Sequence, residues 1–471
     1  MKVCVLQPDY ASSTVDYRHY DPPRDLAPLL PGHEVTHLFL DKRTTYRQLR
    51  EAAAHGVDIF VNLCEGYLEW DVPSIDVIHA LDALGVPYTG PPAWLYDPPK
   101  EIMKYVAHTV GVAVPRHVRI THPAGAARAA AALRFPLFVK PAKAGDSLGI
   151  DERSRVDDAV ALEQQVAHVL VEYPDVLVEE YVDGREFTVL VVGGDTARAL
   201  TPVEYRFPPG TAYKTYALKT SALHPEANAP VTDLTLDAAL RDAAVRVFRG
   251  FGGEGYARLD FRMAGDGTLH FLEINFTCSV FYPDGFEGSA DHILRFDAMG
   301  RAGFAEAIIA DGLVRHRRKQ RCFEVHGDAL AGFGIRAVRN IAVGEVVFRG
   351  EERSARLATR RHIATQWAPR DQQVVRHYGL PVSDGVVMLW DVDPAEWAPQ
   401  NHACDANTTY HGFDVIARRA IAMGEELTLD YAEVMDEHSE PFVCRCGGAT
   451  CRGWVTGTAG NSIASREGAA R

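Results

Sequence analysis

Two polar pairs in the middle of the chain have the residue types and spacing to handle phosphate and a divalent metal ion. With the period of two of a β-strand, Glu273 and Asn275 share one face of a strand. On an earlier segment, which ends thirteen residues before Glu273, Arg258 and Asp260 share a face in the same way. If the two strands pair, three oxygen ligands and one guanidinium meet, a set suited to Mg²⁺ and phosphoryl transfer. Two amphipathic strands with solvated charges would show the same pattern, so support must come from the rest of the chain.

A lysine at the end of an apolar run precedes a small, polar loop. Residues 135–140 read as a buried strand ending in Lys140, and the loop 143–149 that follows contains glycine and Ser147. A cation beside a flexible, glycine-containing loop suits a phosphate group. Farther along, residues 176–189 read as a strand, a polar turn and a second strand.

These motifs, in this order, resemble the ATP-grasp fold and most closely the D-alanine–D-alanine ligase family, over roughly residues 1–314. The resemblance implies ATP and Mg²⁺ as cofactors, and conversion of a carboxylate to an acyl phosphate that an amine attacks. The products would be an amide, ADP and phosphate. The residues it implies are Lys100, Lys140, Ser147 and Lys219 at the phosphates, Glu179, Glu180, Tyr181 and Val182 at adenine, Glu186 at the ribose, Asp260, Glu273 and Asn275 on magnesium, and Arg258 as a catalytic residue at the acyl phosphate and the tetrahedral intermediate.

The sequence departs from that family where its substrates are recognised. The loop reads Ala-Gly-Asp-Ser at 144–147 instead of Glu-Gly-Ser-Ser, and the N-terminal Gly-Gly-x-Ser-x-Glu element is replaced by residues 7–13. After the metal-binding asparagine, Thr-Cys-Ser at 277–279 replaces Ser-Pro-Gly. The chemistry is therefore expected, but D-alanyl-D-alanine is not expected as the product.

A second group of motifs lies in the last third of the chain. A Gly-x-Gly turn at 332–334, a polar run at 401–407 and an apolar strand ending in Tyr431 follow one another, each of which alone could be a turn or a core residue. Four cysteines, three of them crowded together, offer thiolates for one tetrahedral zinc ion, and the alternative is four reduced thiols without a metal. They are Cys404, Cys444, Cys446 and Cys451.

Together these motifs resemble a SET domain with its post-SET segment, over residues 322–457. The resemblance implies S-adenosyl-L-methionine as methyl donor and Zn²⁺ as structural metal, with part of the cofactor site in a threaded pseudoknot. Aromatic channel walls would be Tyr378, Trp390 and Phe413, and Leu429 would leave room for di- or trimethylation. The residues it implies at the cofactor are Gly332, Phe333, Gly334, Asn401, His402, Tyr431 as the catalytic tyrosine, and Trp454 closing over the adenine or the substrate channel.

The elements that must position these residues make the chain α+β. Short apolar strands alternate with helical stretches up to residue 96, strands alternate with alanine-rich helices up to 314, and the remainder is β-rich except for a helix expected at 364–378. We therefore expect an ATP-grasp domain, with an α/β N-terminal subdomain and two α+β lobes, before a SET domain with pseudoknot. The expected boundaries are 1–96 for the N-terminal subdomain, 97–314 for the nucleotide-binding and catalytic lobes, 315–321 for a basic, solvated linker, 322–442 for the SET domain, 443–457 for the zinc segment and 458–471 for a disordered tail.

Composition limits the partners. The 471 residues carry a formal net charge of −14, which opposes binding to nucleic-acid phosphates. No apolar run is long enough to cross a membrane, and the start of the chain lacks the features of a secretory signal, so a cytoplasmic protein is expected. A homodimer is left open.

Three functional hypotheses follow. The leading one is a bifunctional enzyme that ligates a carboxylate to an amine and N-methylates an amine, in small-molecule or peptide biosynthesis. The second is a protein-lysine methyltransferase whose ATP-grasp half is a nucleotide-binding or docking module, which the full set Lys140, Arg258, Asp260, Glu273 and Asn275 disfavours. The third, a zinc-stabilised scaffold without methyl transfer, is disfavoured by Asn401, His402 and Tyr431.

Overall fold

A computed structural model of the chain describes residues 1–11, 21–66, 70–143, 148–194, 196–207, 213, 227–328, 332–350, 355–390 and 398–458. The chain divides into two compact units, residues 1–317 and 318–471. The first mixes helices and strands and the second is rich in strands, so the α+β class is confirmed. Within the described residues, no helix combines the length and the apolar character needed to cross a bilayer.

The first 96 residues form a three-stranded parallel sheet covered by two helices. The elements are β1 (Lys2–Pro8), β2 (Glu34–Leu40), α1 (Thr45–Ala54), β3 (Ile59–Asn62) and α2 (Ile75–Leu84). The strand order is β2-β1-β3. Successive residues of β1 alternate between the two faces, and both faces are buried, as is usual for a parallel sheet.

The next segment forms a four-stranded antiparallel sheet of order β4-β7-β5-β6. Its elements are α3 (Lys100–Thr109), β4 (His117–Ile120), α4 (Ala126–Ala132), β5 (Leu137–Pro141), β6 (Arg155–Val156), α5 (Ala159–Val169) and β7 (Val176–Glu180). Helices α4 and α5 pack on one face of this sheet. The strands expected around Lys140 and Glu179 are present.

A second antiparallel sheet, of order β11-β10-β8-β12-β13 with β9 paired to β8, carries the polar pairs of the sequence. The elements are β8 (Gly184–Val192), β9 (Arg198–Ala199), β10 (Val203–Tyr205), β11 (Asn228–Pro230), α6 (Leu234–Gly250), β12 (Tyr256–Ala264), β13 (Leu269–Asn275), α7 (Ser289–Phe296) and α8 (Gly300–Lys319). Helices α3 and α6 cover one face of this sheet. Helices α7 and α8 pack against the N-terminal sheet.

The basic stretch 315–321 was expected to be a solvated linker, and the structure corrects this. Helix α8 continues through Lys319, so most of the stretch is helical. Arg315 is buried and donates hydrogen bonds to the carbonyls of Gly90 and Tyr88. A run of basic residues can be a solvated linker or the end of a helix. Charge density alone does not distinguish the two, because a long basic side chain such as that of Arg315 can also donate hydrogen bonds to buried carbonyls.

The second unit is built from short strands around a small core. Its elements are β14 (Phe323–Asp328), β15 (Gly332–Ala337), β16 (Val346–Phe348), β17 (Ala355–Thr359), α9 (Arg360–Gln366), α10 (Pro369–Tyr378), β18 (Leu380–Ser383), β19 (Val386–Trp390), β20 (Asn401–His402), β21 (Thr408–His411), β22 (Asp414–Ala417), β23 (Glu426–Leu429), β24 (Phe442–Val443) and β25 (Trp454–Val455). The sheet that matters for the site has the order β14-β15-β23-β20.

The single helix expected at 364–378 is two helices. Trp367 and Ala368 are extended, and Pro369 begins α10. Proline disfavours a helical residue before it and suits the first turn of a new helix. Of the tail expected at 458–471, all but Thr458 lies outside the described residues.

Candidate functional site

The two polar pairs of the sequence lie side by side on adjacent strands. In the antiparallel register of β12 and β13, Asp260 is opposite Glu273 and Arg258 is opposite Asn275. The Arg258 guanidinium donates to both carboxylate oxygens of Asp260, at 3.2 and 3.0 Å. A carboxylate has about four lone-pair sites, so the two bonds from Arg258 do not by themselves exhaust its acceptor capacity.

A cleft lies between the four-stranded sheet and the second, six-stranded sheet. Lys140, Arg258, Asp260 and Glu273 all line it, together with the adenine and ribose candidates Glu179, Glu180, Tyr181, Val182 and Glu186. Ser147 and Lys219 lie outside the described residues.

The lysines of the cleft are held by carboxylates. Lys140 donates to Glu179 at 2.6 Å, and Lys104, which the sequence reasoning missed, lies 2.8 Å from the other oxygen of Glu179. Burial acts to raise the pKa of Glu179, but the two lysines lower it to about 2. Lys100 is buried, with its Nζ 3.7 Å from Glu273. The spacing of Lys100 and Lys104, one helical turn apart, was the available signal for the missed residue.

Aromatic rings and a second arginine form the other end of the cleft. The rings of Phe138 and Tyr181 stack with centroids 6.1 Å apart, and Tyr213 meets Phe138 edge-on at 5.0 Å. Arg262 donates to the Val182 carbonyl at 2.8 Å, and its Nε lies 3.3 Å from Glu186. Sequence reasoning missed Arg262, although it continues the alternation of Arg258 and Asp260 along β12.

A charged cluster around the buried Arg24 connects the N-terminal sheet to the loop that follows β13. Arg24 lies 3.1 Å from Glu65 and 3.0 Å from Asp21, and it donates to the carbonyls of Leu63 and Val280. Burial raises the pKa of Glu65 to about 7, an effect that Arg24 opposes and Asp21 reinforces. No local motif marks this cluster, because Arg24 and Val280 are 256 residues apart in the chain.

In the second unit, the glycine turn and the polar run of the sequence come together. Gly334 lies on β15, and a Cβ added to it would be 2.7 Å from both Asn401 Nδ2 and Glu426 Oε1. Asn401 donates to Glu426 at 2.8 Å. The absence of a side chain at residue 334 is therefore what permits these two polar groups to meet beside β15.

His402 connects the candidate catalytic tyrosine to the cysteines. Its Nδ1 accepts from the backbone N–H of Tyr431 at 3.1 Å, so in the neutral ring the proton is on Nε2, 3.4 Å from the Cys404 Sγ. Burial lowers the pKa of His402, which favours this neutral form. The Tyr431 hydroxyl donates to the Gln400 carbonyl. Burial, with Tyr410 and Tyr378 nearby, raises the pKa of Tyr431 to about 12.

The four cysteines meet as a metal site requires. Their Sγ atoms all lie within 4.8 Å of one another, and those of Cys404 and Cys444 are 3.7 Å apart. Tetrahedral zinc with Zn–S bonds of about 2.3 Å needs sulfur atoms about 3.8 Å apart. The donor set therefore fits Zn²⁺. Beside it, Arg452 pairs with the buried carboxylate of Asp430.

The expected aromatic walls are placed unequally. Tyr378 is near Tyr431 but 74% exposed. The indole N–H of Trp390 donates at 3.4 Å to the hydroxyl of Tyr410, a residue that the sequence reasoning did not name. Phe413 lies between β21 and β22 and would contact any Cβ at Gly350. Trp454 is 60% exposed on β25. Gly332 and Phe333, both exposed, begin β15.

Comparison with known proteins gives matches in both units. A family model described as D-ala D-ala ligase C-terminus matches residues 107–284, and a model of the SET domain matches residues 332–432. The D-alanine–D-alanine ligase of Cupriavidus taiwanensis is 34% identical over 242 residues, covering 48% of this chain and 68% of the relative. The chain belongs to the D-alanine–D-alanine ligase family. It also carries a SET domain, so both of its parts come from enzyme families.

The likeness to other members of the ligase family is partial in length. The D-alanine–D-alanine ligase of Ectopseudomonas mendocina is 32% identical over 202 residues, which are 41% of this chain and 61% of that relative.

Among solved structures, VanG D-Ala:D-Ser ligase from Enterococcus faecalis has a TM-score of 0.49 at 16% identity, covering 66% of this chain and 99% of that one.

Proposed function

We propose that the chain is a bifunctional enzyme, an ATP-dependent carboxylate–amine ligase joined to an S-adenosyl-L-methionine-dependent N-methyltransferase. The observation that carries the ligase assignment is the meeting of Lys140, Arg258, Asp260 and Glu273 in one cleft. We place the ligase in residues 1–314 and the SET domain with its zinc segment in 322–457.

In the ligase, the cationic residues would bind phosphate and the residues with side-chain oxygens would bind magnesium. Lys140 keeps N–H donors for ATP phosphates beyond the one it gives to Glu179. Asp260, Glu273 and Asn275 would hold Mg²⁺, which neutralises phosphate charge during phosphoryl transfer. Arg258 is positioned by Asp260 to stabilise the acyl phosphate and the tetrahedral species that forms when the amine attacks. The products are an amide, ADP and phosphate.

A separate set of residues at the other end of the cleft would bind the adenosine part of ATP. Phe138 and Tyr181 offer flat apolar surface for adenine, and Glu186, which Arg262 holds, is placed for the ribose hydroxyls. The substrates that we propose are a small-molecule carboxylate and a small-molecule amine. Because the family's D-alanine recognition elements are replaced, D-alanine is not proposed.

In the SET domain, Gly334 and Asn401 would contact the methyl donor, with His402 supporting the backbone of Tyr431. Methyl transfer is an in-line displacement, so the main tasks are to align a neutral amine and to exclude water. The acceptor that we propose is a lysine-like amine of a small molecule, a peptide or a protein. The four-cysteine cluster supports Zn²⁺ as the structural metal.

Two variants test the assignment together. Glu273→Gln removes one charge and little volume, so it should nearly abolish amine-dependent ADP release while the protein stays folded. Tyr431→Phe should stop methyl transfer and leave ADP release unchanged. Amino-acid and peptide libraries, with ADP detection and mass spectrometry of methylated products, supply the substrates. Undiminished ADP release by Glu273→Gln would contradict the ligase assignment, and undiminished methylation by Tyr431→Phe would contradict the role of the tyrosine.

A further inference from the structure

Helix α3 contacts both sheets that border the nucleotide cleft. Met103 and Ala107 pack into the core beneath the six-stranded sheet. At the start of the helix, the backbone N–H of Lys100 donates to the carbonyl of Ala142, just after β5 of the four-stranded sheet, at 3.1 Å. The helix is therefore placed to set the separation of the two sheets.

Lys104 provides the buried link between them. Its ammonium lies 2.8 Å from Glu179 on β7 of the four-stranded sheet, and it donates to the Leu272 carbonyl on β13 of the six-stranded sheet at 3.3 Å. Both partners line the cleft, and Lys104 is not among the described residues that line it. It is fully buried, where an ammonium is retained only if it is paired.

Glu179 transmits the position of Lys104 to the phosphate side of the cleft. One carboxylate oxygen faces Lys104 and the other accepts from Lys140 at 2.6 Å. With only Lys140 as its partner, the buried carboxylate would compete with ATP phosphate for that ammonium. With Lys104 also present, the negative charge of Glu179 is shared between two cations.

We propose that Lys104 is a positioning residue, which joins the two sheets of the cleft and, through Glu179, holds Lys140 at the nucleotide phosphates. This rests on the proposed ligase function, but it is tested by binding rather than turnover. Lys104 itself touches no nucleotide in this arrangement.

The experiment measures Mg²⁺-ADP affinity by titration calorimetry, without carboxylate or amine. Lys104→Met keeps most of the length of the side chain and removes its charge, and it should weaken ADP binding by about tenfold, the size expected for one charge-assisted hydrogen bond. Glu101→Gln is the matched control, because Glu101 lies on the exposed face of the same helix and pairs only loosely with Arg119, at 3.6 Å. The control should bind like the wild type.

A double variant separates positioning from general destabilisation. In a Lys140→Met background, Lys104→Met should produce little further loss of affinity, because its effect passes through Lys140. Independent, additive losses would overturn the proposal, as would wild-type affinity in Lys104→Met. If Lys104→Met does not fold, Glu179→Gln provides the test, with weakened ADP binding expected and unchanged binding contradicting the proposal. Failure of the wild type to bind ADP would instead refute the ligase function.

Discussion

Gly334→Ala should weaken binding of the methyl donor without unfolding the SET domain. Gly334 lies within β15 with no left-handed backbone angle, so alanine meets no backbone strain there. The added Cβ, however, would lie 2.7 Å from Asn401 Nδ2 and from Glu426 Oε1, and 3.3 Å from His326 Nε2. All three atoms are the ends of side chains, so the side chains yield while the backbone of the sheet stays in place.

The size of the effect follows from the contact that must open. Relief of the overlap needs a movement of roughly 0.7 Å, from 2.7 Å to the ordinary contact limit of 3.4 Å. Such a movement disrupts the 2.8 Å hydrogen bond between Asn401 and Glu426. A hydrogen bond to a charged group contributes about 1.5–3 kcal/mol, and about 1.4 kcal/mol is tenfold in affinity, so S-adenosylmethionine should bind about 10- to 100-fold more weakly.

Calorimetric titration with S-adenosylmethionine measures this directly, and the thermal midpoint should fall by roughly 3–12 °C, at about 2–4 °C per kcal/mol for a unit of this size. Gly327→Ala on the neighbouring strand β14 is the control, because its Cβ would meet Phe333 at an ordinary 3.4 Å. If folded Gly334→Ala binds the methyl donor as tightly as Gly327→Ala and the wild type, the proposed role of Asn401 in cofactor binding is wrong.

Two further predictions concern the zinc cluster and Glu65. Elemental analysis should find about one zinc per chain, and Cys446→Ser should lose it because three thiolates with a hydroxyl bind zinc poorly; full zinc content in that variant would exclude the four-cysteine site. The pKa of Glu65 is raised from 4.5 to about 7 in the folded state, so between these pH values the folded protein binds more protons than the unfolded chain. The protonated carboxyl therefore contributes stability that is full below about pH 4.5 and is lost as the pH rises through about 7. Glu65→Gln should therefore show a smaller fall in thermal midpoint between pH 5 and pH 8 than the wild type, and identical slopes for the two proteins would contradict the pKa assignment.

The strands that carry the candidate site residues were predictable because their signal is local. Residues 269–275 and 176–180 form strands where the sequence predicts strands, since alternation and β-branched or aromatic residues are properties of short segments. The pairing of Asp260 with Glu273 was predictable for the same reason, once the two strands were assumed to be neighbours. The break at Pro369 could also have been read locally, from the restriction that proline places on the residue before it.

Long-range pairing produced the features that sequence reasoning missed. Lys104 and Leu272 are 168 residues apart, and Arg24 and Val280 are 256 apart. A lysine on a helix has the same local pattern whether its ammonium lies in water or between two sheets. Arg315 similarly looked like part of a solvated run until the packing of α8 placed it against Tyr88 and Gly90.

By itself, the sequence determined the types of chemistry available to this chain: oxygen ligands and cations on two strands, and four cysteines of which one lies in a polar run. These depend on residue identity and on short spacing, which no later packing changes. Only the tertiary structure decided which cations lie near one another. Burial and the distances between remote segments determine whether Lys140, Lys104 or Lys100 lines the cleft. It also decided that the sulfur atoms of Cys404 and Cys444 lie 3.7 Å apart, because that distance depends on how the loops carrying them pack on the strands.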